Sequence, residues 1–195
     1  LEKAPNNPIG RYLKATLLAG EKKYDAASDV LQPVMPALAE YPPALYLQAS
    51  LDFAQGRIEQ AQTAVQSYLA KVPGSARGQR LLAGIFLRKQ DSARAIEILE
   101  PMSRAAPDDA RLLALLGSAY VSARRNADAT AVFERVVELE PDNSATRARL
   151  ALSRLNSGDS DAAVKDFESI VEGDPDETRA SLLLVLTHLR QKDFD

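Results

Sequence analysis

Leu112–Asn143 reads LLALLGSAYVSARRNADATAVFERVVELEPDN. Two apolar stretches flank the polar run Ala123–Asp128, and the segment closes on Pro141-Asp142-Asn143. Small residues stand at Gly117 and Ala129, with the large Phe133 four residues after the second. Two antiparallel helices explain this arrangement: the small residues let the backbones approach, and the ring fills the space beside them. The chain shows no sustained alternation of polar and apolar residues, so no strand is expected.

The same arrangement returns along the chain. Pro73, Pro107, Pro141 and Pro175 are each 34 residues apart, and two further periods back from Pro73 lies Pro5. The opening LEKAPNN (Leu1–Asn7) thus matches VELEPDN (Val137–Asn143). With that proline at position 32, position 20 is Ala27, Ala61, Ala95, Ala129 and Ala163. Position 8 is Ala15, Ala49, Ala83, Gly117, Ala151 and Val185, and position 24 is Leu31, Val65, Leu99, Phe133 and Phe167. The predicted organisation is the tail of a preceding repeat at 1–7, five repeats at 8–41, 42–75, 76–109, 110–143 and 144–177, and the first helix of a sixth at 178–195. One continuous array cut from a longer one is expected.

Punctuation supports these units. Asp108-Asp109 and Asn143-Ser144 are placed to cap first helices, and Asp91-Ser92 and Asp159-Ser160 to cap second helices, with Gly56 and Gly158 ending the helix before. Pro33 and Pro101 both fall at position 26, inside a second helix, where a proline costs about 3 kcal/mol unless the helix bends. The first unit adds Pro36, so its second helix is predicted to kink or break over Pro33–Pro36.

At these residues the resemblance to tetratricopeptide repeats is clear, Leu116, Gly117, Tyr120, Ala129, Phe133 and Pro141 standing at signature positions. The resemblance implies an all-α fold, a right-handed superhelix of eleven helices in antiparallel pairs. A narrower resemblance, carried by Arg11–Val34, Leu81–Met102 and Asp176–Asp195, is to the repeat lipoproteins of bacterial PEP-CTERM/exosortase systems. It implies an envelope setting, periplasmic or anchored at the outer membrane, with a role in protein sorting or exopolysaccharide production.

Composition narrows the function classes. The 195 residues are 46% apolar and 26% charged with a formal charge of −3, giving no basic surface for nucleic acid or anionic lipid. Cysteine is absent and His188 is the single histidine, so no His–Cys pair and no zinc site of normal ligand count can be assembled. His188 reads as structural. The acidic turns EPDN and EGDPDE lack calcium-loop spacing, and no phosphate-cradling glycine loop occurs. The run SLLLVLTHL at Ser181–Leu189 is about half a membrane span. No catalytic residue, metal or cofactor is expected, and membrane insertion by this segment is not.

The resemblance places the first helices on a concave groove, through positions 2, 5, 9, 12 and 13. Those positions offer Ile9, Tyr12 and Thr16, then Tyr46, Ser50 and Phe53, then Arg77, Arg80, Leu87 and Arg88. Arg111, Ala114 and Ser118 follow, then Ala148, Leu152 and Leu155, and finally Arg179, Leu182, Leu186 and Arg190. Tyr12, Tyr46, Phe53, Arg77, Arg80, Arg88 and Arg111 are therefore the expected ligand-binding residues, suited to an extended protein or peptide segment of acidic character. The competing reading makes the arginines a solvated face paired with acids and the tyrosines a cover for the core. Position 9 holds no Asn, which excludes the clamp that chaperone-tail modules use. The rival functions are a structural spacer and an exopolysaccharide-contacting module that stacks sugar rings on Tyr12, Tyr46 and Phe53. Apolar faces at the cut ends, such as Leu182–Leu186, predict a homodimer through those ends.

Overall fold

The structure is a computed structural model, and it describes residues 7–173 and 178–191. The opening residues 1–6, the Pro175 turn, and the side chains of Arg179 and Arg190 lie outside the described residues. Every described regular element is helical. First helices are α1 (Pro8–Gly20), α3 (Pro42–Ala54), α5 (Ala76–Arg88), α7 (Ala110–Ser122), α9 (Ser144–Asn156) and α11 (Thr178–Gln191). Each begins 34 residues after the one before. Second helices are α2 (Tyr24–Leu31), α4 (Ile58–Lys71), α6 (Ser92–Ala105), α8 (Asn126–Leu139) and α10 (Ser160–Gly173). The chain forms two compact units, Leu1–Asp91 and Ser92–Asp195.

Local chemistry starts the helices where they start. Asn7, Ser75, Asp109 and Asn143 each accept a hydrogen bond from the backbone N–H three residues on, capping α1, α5, α7 and α9. Asp159 does the same for α10. Pro42 opens α3 at a position where the missing N–H costs nothing.

The two interior-proline sites diverge. After Leu31 the chain tightens into a 3₁₀ helix, Gln32–Leu38, with Pro33 at its start and Pro36 inside, so the second helix of the first repeat breaks as expected. At Pro101, by contrast, α6 continues as an α-helix to Ala105. One proline deletes one ladder bond, whereas Pro33 and Pro36 remove two donors within a single turn, and i→i+3 bonding takes over.

Small and large residues occupy the core as their spacing demands. Ala15, Ala27, Ala49, Ala61, Ala83, Ala95, Ala129, Ala151 and Ala163 are all fully buried, as are Leu31, Val65, Leu99, Phe133 and Phe167 to within 1%. In the first unit Ala15, Ala27, Leu31, Val34 and Leu38 cluster with Leu51, and Ala49, Ala61 and Val65 with Ile85. In the second, Ala151, Ala163, Phe167 and Ile170 pack with Ala180. Gly117 marks one close approach: a Cβ there would sit 2.8 Å from the buried Phe133 ring.

Candidate functional site

Within the first unit, α1, α3 and α5 bring three of the expected ligand-binding residues together around an aromatic cluster. Tyr12 meets Tyr41 edge to face with ring centroids 5.3 Å apart; Tyr41 lies at the start of α3, exposed. Tyr46 is half-buried and packs against Tyr68 of α4 at 5.2 Å. The exposed guanidinium of Arg77 lies 4.5 Å above the Tyr46 ring and 5.4 Å from that of Tyr68. Its Nε donates to the Tyr68 hydroxyl at 2.9 Å, and that hydroxyl shares a second hydrogen bond, 2.8 Å long, with the α5 cap Ser75.

Electrostatics follow from those contacts. Burial pushes the Tyr68 hydroxyl up, but hydrogen bonds from Ser75 and Arg77 and the charge of Arg77 more than offset this and leave it below its ordinary value. Arg77 is held above its own ordinary value, chiefly by the Tyr68 hydrogen bond, with burial opposing and the Tyr68, Tyr46 and Tyr12 hydroxyls adding to it. Among the described residues no carboxylate pairs with Arg77.

The other expected residues sit differently. Phe53 is half-buried and packs on the Ala49–Ala61–Val65 core. Arg80 is half-buried and Arg88 exposed on α5, while Arg111 is exposed on α7 of the second unit. Position 9 is committed internally: the hydroxyls of Thr16, Ser50 and Ser118 donate to the carbonyls of Tyr12, Tyr46 and Ala114 one turn back. The half-buried His188 stands on α11.

Tyr41, Tyr68 and Ser75 were not legible as site residues, because they lie in a turn, a second helix and a cap rather than on the first-helix positions. The sequence also hid a polar motif in the second unit, in which position 11 reaches back to an acid at position 25 of the preceding repeat. Tyr120 donates to Glu100 at 2.9 Å and carries Arg125 4.4 Å above its ring. Arg154 binds Glu134 at 2.8 Å and Asp166 at 2.7 Å. Burial, the hydrogen bond to Glu100 and its negative charge push Tyr120 up to about 12. An open depression of about 510 Å³ beside Tyr120 is lined by Glu100, Arg104 and Arg135. Its charges are matched internally, since Arg135 holds Asp108 and Glu138 at 2.7 Å and Glu100 takes Tyr120.

Comparison with known proteins bears on the family. Profiles described as tetratricopeptide repeat match residues 52–119, 110–143 and 148–195. No curated protein matches the chain in sequence. Among solved structures, YrrB, described as a TPR protein with an unusual peptide-binding site, is 13% identical with TM-score 0.74, covering 93% of this chain and 94% of its own. MamA 41-end from Desulfovibrio magneticus RS-1 is 19% identical with TM-score 0.79, covering 88% and 97%. A thermophilic TPR protein in Thermus thermophilus is 21% identical with TM-score 0.66, covering 94% and 100%. These likenesses establish the all-α tetratricopeptide fold, and with profile matches over residues 52–143 and 148–195 the chain is a tetratricopeptide-repeat protein.

Proposed function

We propose that the chain is a protein-binding scaffold that holds an extended segment of a partner protein against the face shared by α1, α3 and α5. One observation carries this reading: Tyr12 of α1, Tyr46 of α3 and Tyr41 just before α3 remain half-buried or exposed, with Arg77 over the Tyr46 ring, instead of being sealed into the core. Rings with one face packed and one face open offer apolar area at little entropic cost. The fold's likeness to a structure with a peptide-binding site is consistent with this use. The bacterial-envelope setting implied by the narrower resemblance belongs to the same proposal, and so does a role in sorting.

A photo-crosslinking amino acid at Thr16 or Ser50 tests the face, with Gln66 or Ser67 on the exposed side of α4 as reference positions. Bacterial envelope extract supplies the partner. Crosslinks are expected from Thr16 and Ser50, and their loss is expected on adding Tyr46→Ala. Equal yields from Gln66, or none from the first-helix positions, would favour the spacer reading.

A further inference from the structure

We infer that the chain binds a second copy of itself head to tail, the outer face of α11 in one copy seating against the outer face of α1 in the next. This goes beyond the scaffold reading and does not depend on it. The repeats themselves show what each face is for. Position 10 of a first helix packs on the second helix of the repeat before: Leu51 clusters with Ala27, Leu31 and Leu38, and Ile85 with Ala61 and Val65. That position is buried to within 2% at Leu51, Ile85, Ala119, Ser153 and Thr187, yet Leu17 is 71% exposed. Position 8 packs on the second helix of its own repeat, as Ala151 does with Ala163. It is fully buried at Ala15, Ala49, Ala83 and Ala151, yet Val185 is 55% exposed. Each face is thus a seat for an antiparallel helix.

Each helix also fits the other's seat. Ile9, Leu13 and Leu17 follow one another a turn apart on α1, and Leu182, Val185 and Leu189 form one exposed stripe on α11. Laid antiparallel, the stripes register as Leu17 on Leu182, Leu13 on Val185 and Ile9 on Leu189. Charge complementarity selects this pairing over a symmetric one. Residues 1–23 carry five Lys and Arg against two Asp and Glu, whereas residues 159–195 carry four against ten. A two-fold contact of α1 on α1 would gather the exposed Lys14, Lys22 and Lys23 of both copies. One of α11 on α11 would gather the exposed Glu168 and Glu172 of α10, the helix packed behind it. Placing α1 on α11 sets the basic end against the acidic one. Such a contact is heterologous, so every pair of copies keeps one seat of each kind and assembly can continue.

Size-exclusion chromatography with light scattering tests this on wild type, Leu17→Asp and Val185→Asp. Both substituted side chains are exposed in the single chain, and circular dichroism verifies that the variants fold. The wild type is expected to rise with concentration past twice the 21.2 kDa chain mass. Each variant alone is expected to stay monomeric, because the face it keeps has no complement. An equimolar mixture of the two is expected to form a one-to-one pair and nothing larger, through α11 of the Leu17→Asp chain and α1 of the Val185→Asp chain. A wild type that remains at 21.2 kDa throughout, or a mixture that remains monomeric, overturns the inference. Self-association of either variant alone overturns it too, since that would require a symmetric contact.

Discussion

Tyr120 shows how one side chain ties two repeats together and reports on the tie. Its hydroxyl is largely buried and donates to Glu100, so ionisation would place a phenolate against a carboxylate in a partly desolvated site. The native state therefore keeps the proton to about pH 12, whereas the unfolded chain releases it near 10.0. In that interval the unfolded state binds fewer protons, so this residue's contribution is complete below pH 10 and stability falls as pH rises towards 12. Absorbance titration should show one late-ionising tyrosine that disappears in Tyr120→Phe and moves to lower pH in Glu100→Gln. Unchanged late ionisation in both would mean that the tyrosine held up is another. The dependence could not be read from the sequence, where Tyr120 is a family signature residue and Glu100 merely one acid among many.

At the scale of elements, the turn between the paired helices makes one conformational demand in every repeat. Lys22, Gly56, Gln90, Arg124 and Gly158 occupy the same position, and all have positive φ, between 58° and 92°. Glycine reaches this region freely, whereas a residue with a Cβ is strained there by about 1–2 kcal/mol. Gly56→Ala should accordingly destabilise the protein by about 1 kcal/mol. Gln90→Gly should raise stability by up to about 1 kcal/mol, as strain relief outweighs the extra chain entropy of glycine. Denaturant unfolding measures both, and a Gln90→Gly protein less stable than wild type would contradict the account. Only Gly56 and Gly158 advertise this turn in the sequence; lysine, glutamine and arginine carry no such signal. The broken second helix of the first repeat was legible, because Pro33 and Pro36 act through their own backbone and need no neighbour to take effect.

For the whole molecule, the period has a mechanical consequence. A stack of repeats that bury their faces on neighbours tolerates removal of a whole period better than of part of one. Deleting residues 110–143 joins the Asp109 cap position directly to Ser144, which starts an equivalent helix. That variant should keep its helicity per residue and still unfold cooperatively. Deleting residues 110–126 instead leaves a second helix without its partner, and helicity should collapse. Equal tolerance of the two deletions, followed by circular dichroism through thermal unfolding, would show that 34 residues is not the unit of stability.

By itself the sequence determined the helix pairs, their spacing and the identity of the core, since small residues at two fixed positions and a large one at a third are sufficient to bring two helices together. Caps and prolines were decided there too, their effects being exerted within a few residues. Only the tertiary structure distinguishes the surroundings of the seven expected ligand-binding residues. Arg77, Arg80 and Arg88 are the same residue on one helix, and it is Arg77 that is set over Tyr46 with its Nε on Tyr68. That selection depends on which side chain of α4 and which ring of α3 arrive beside α5. It is a matter of distance between helices, and a periodic sequence records only the distance along one.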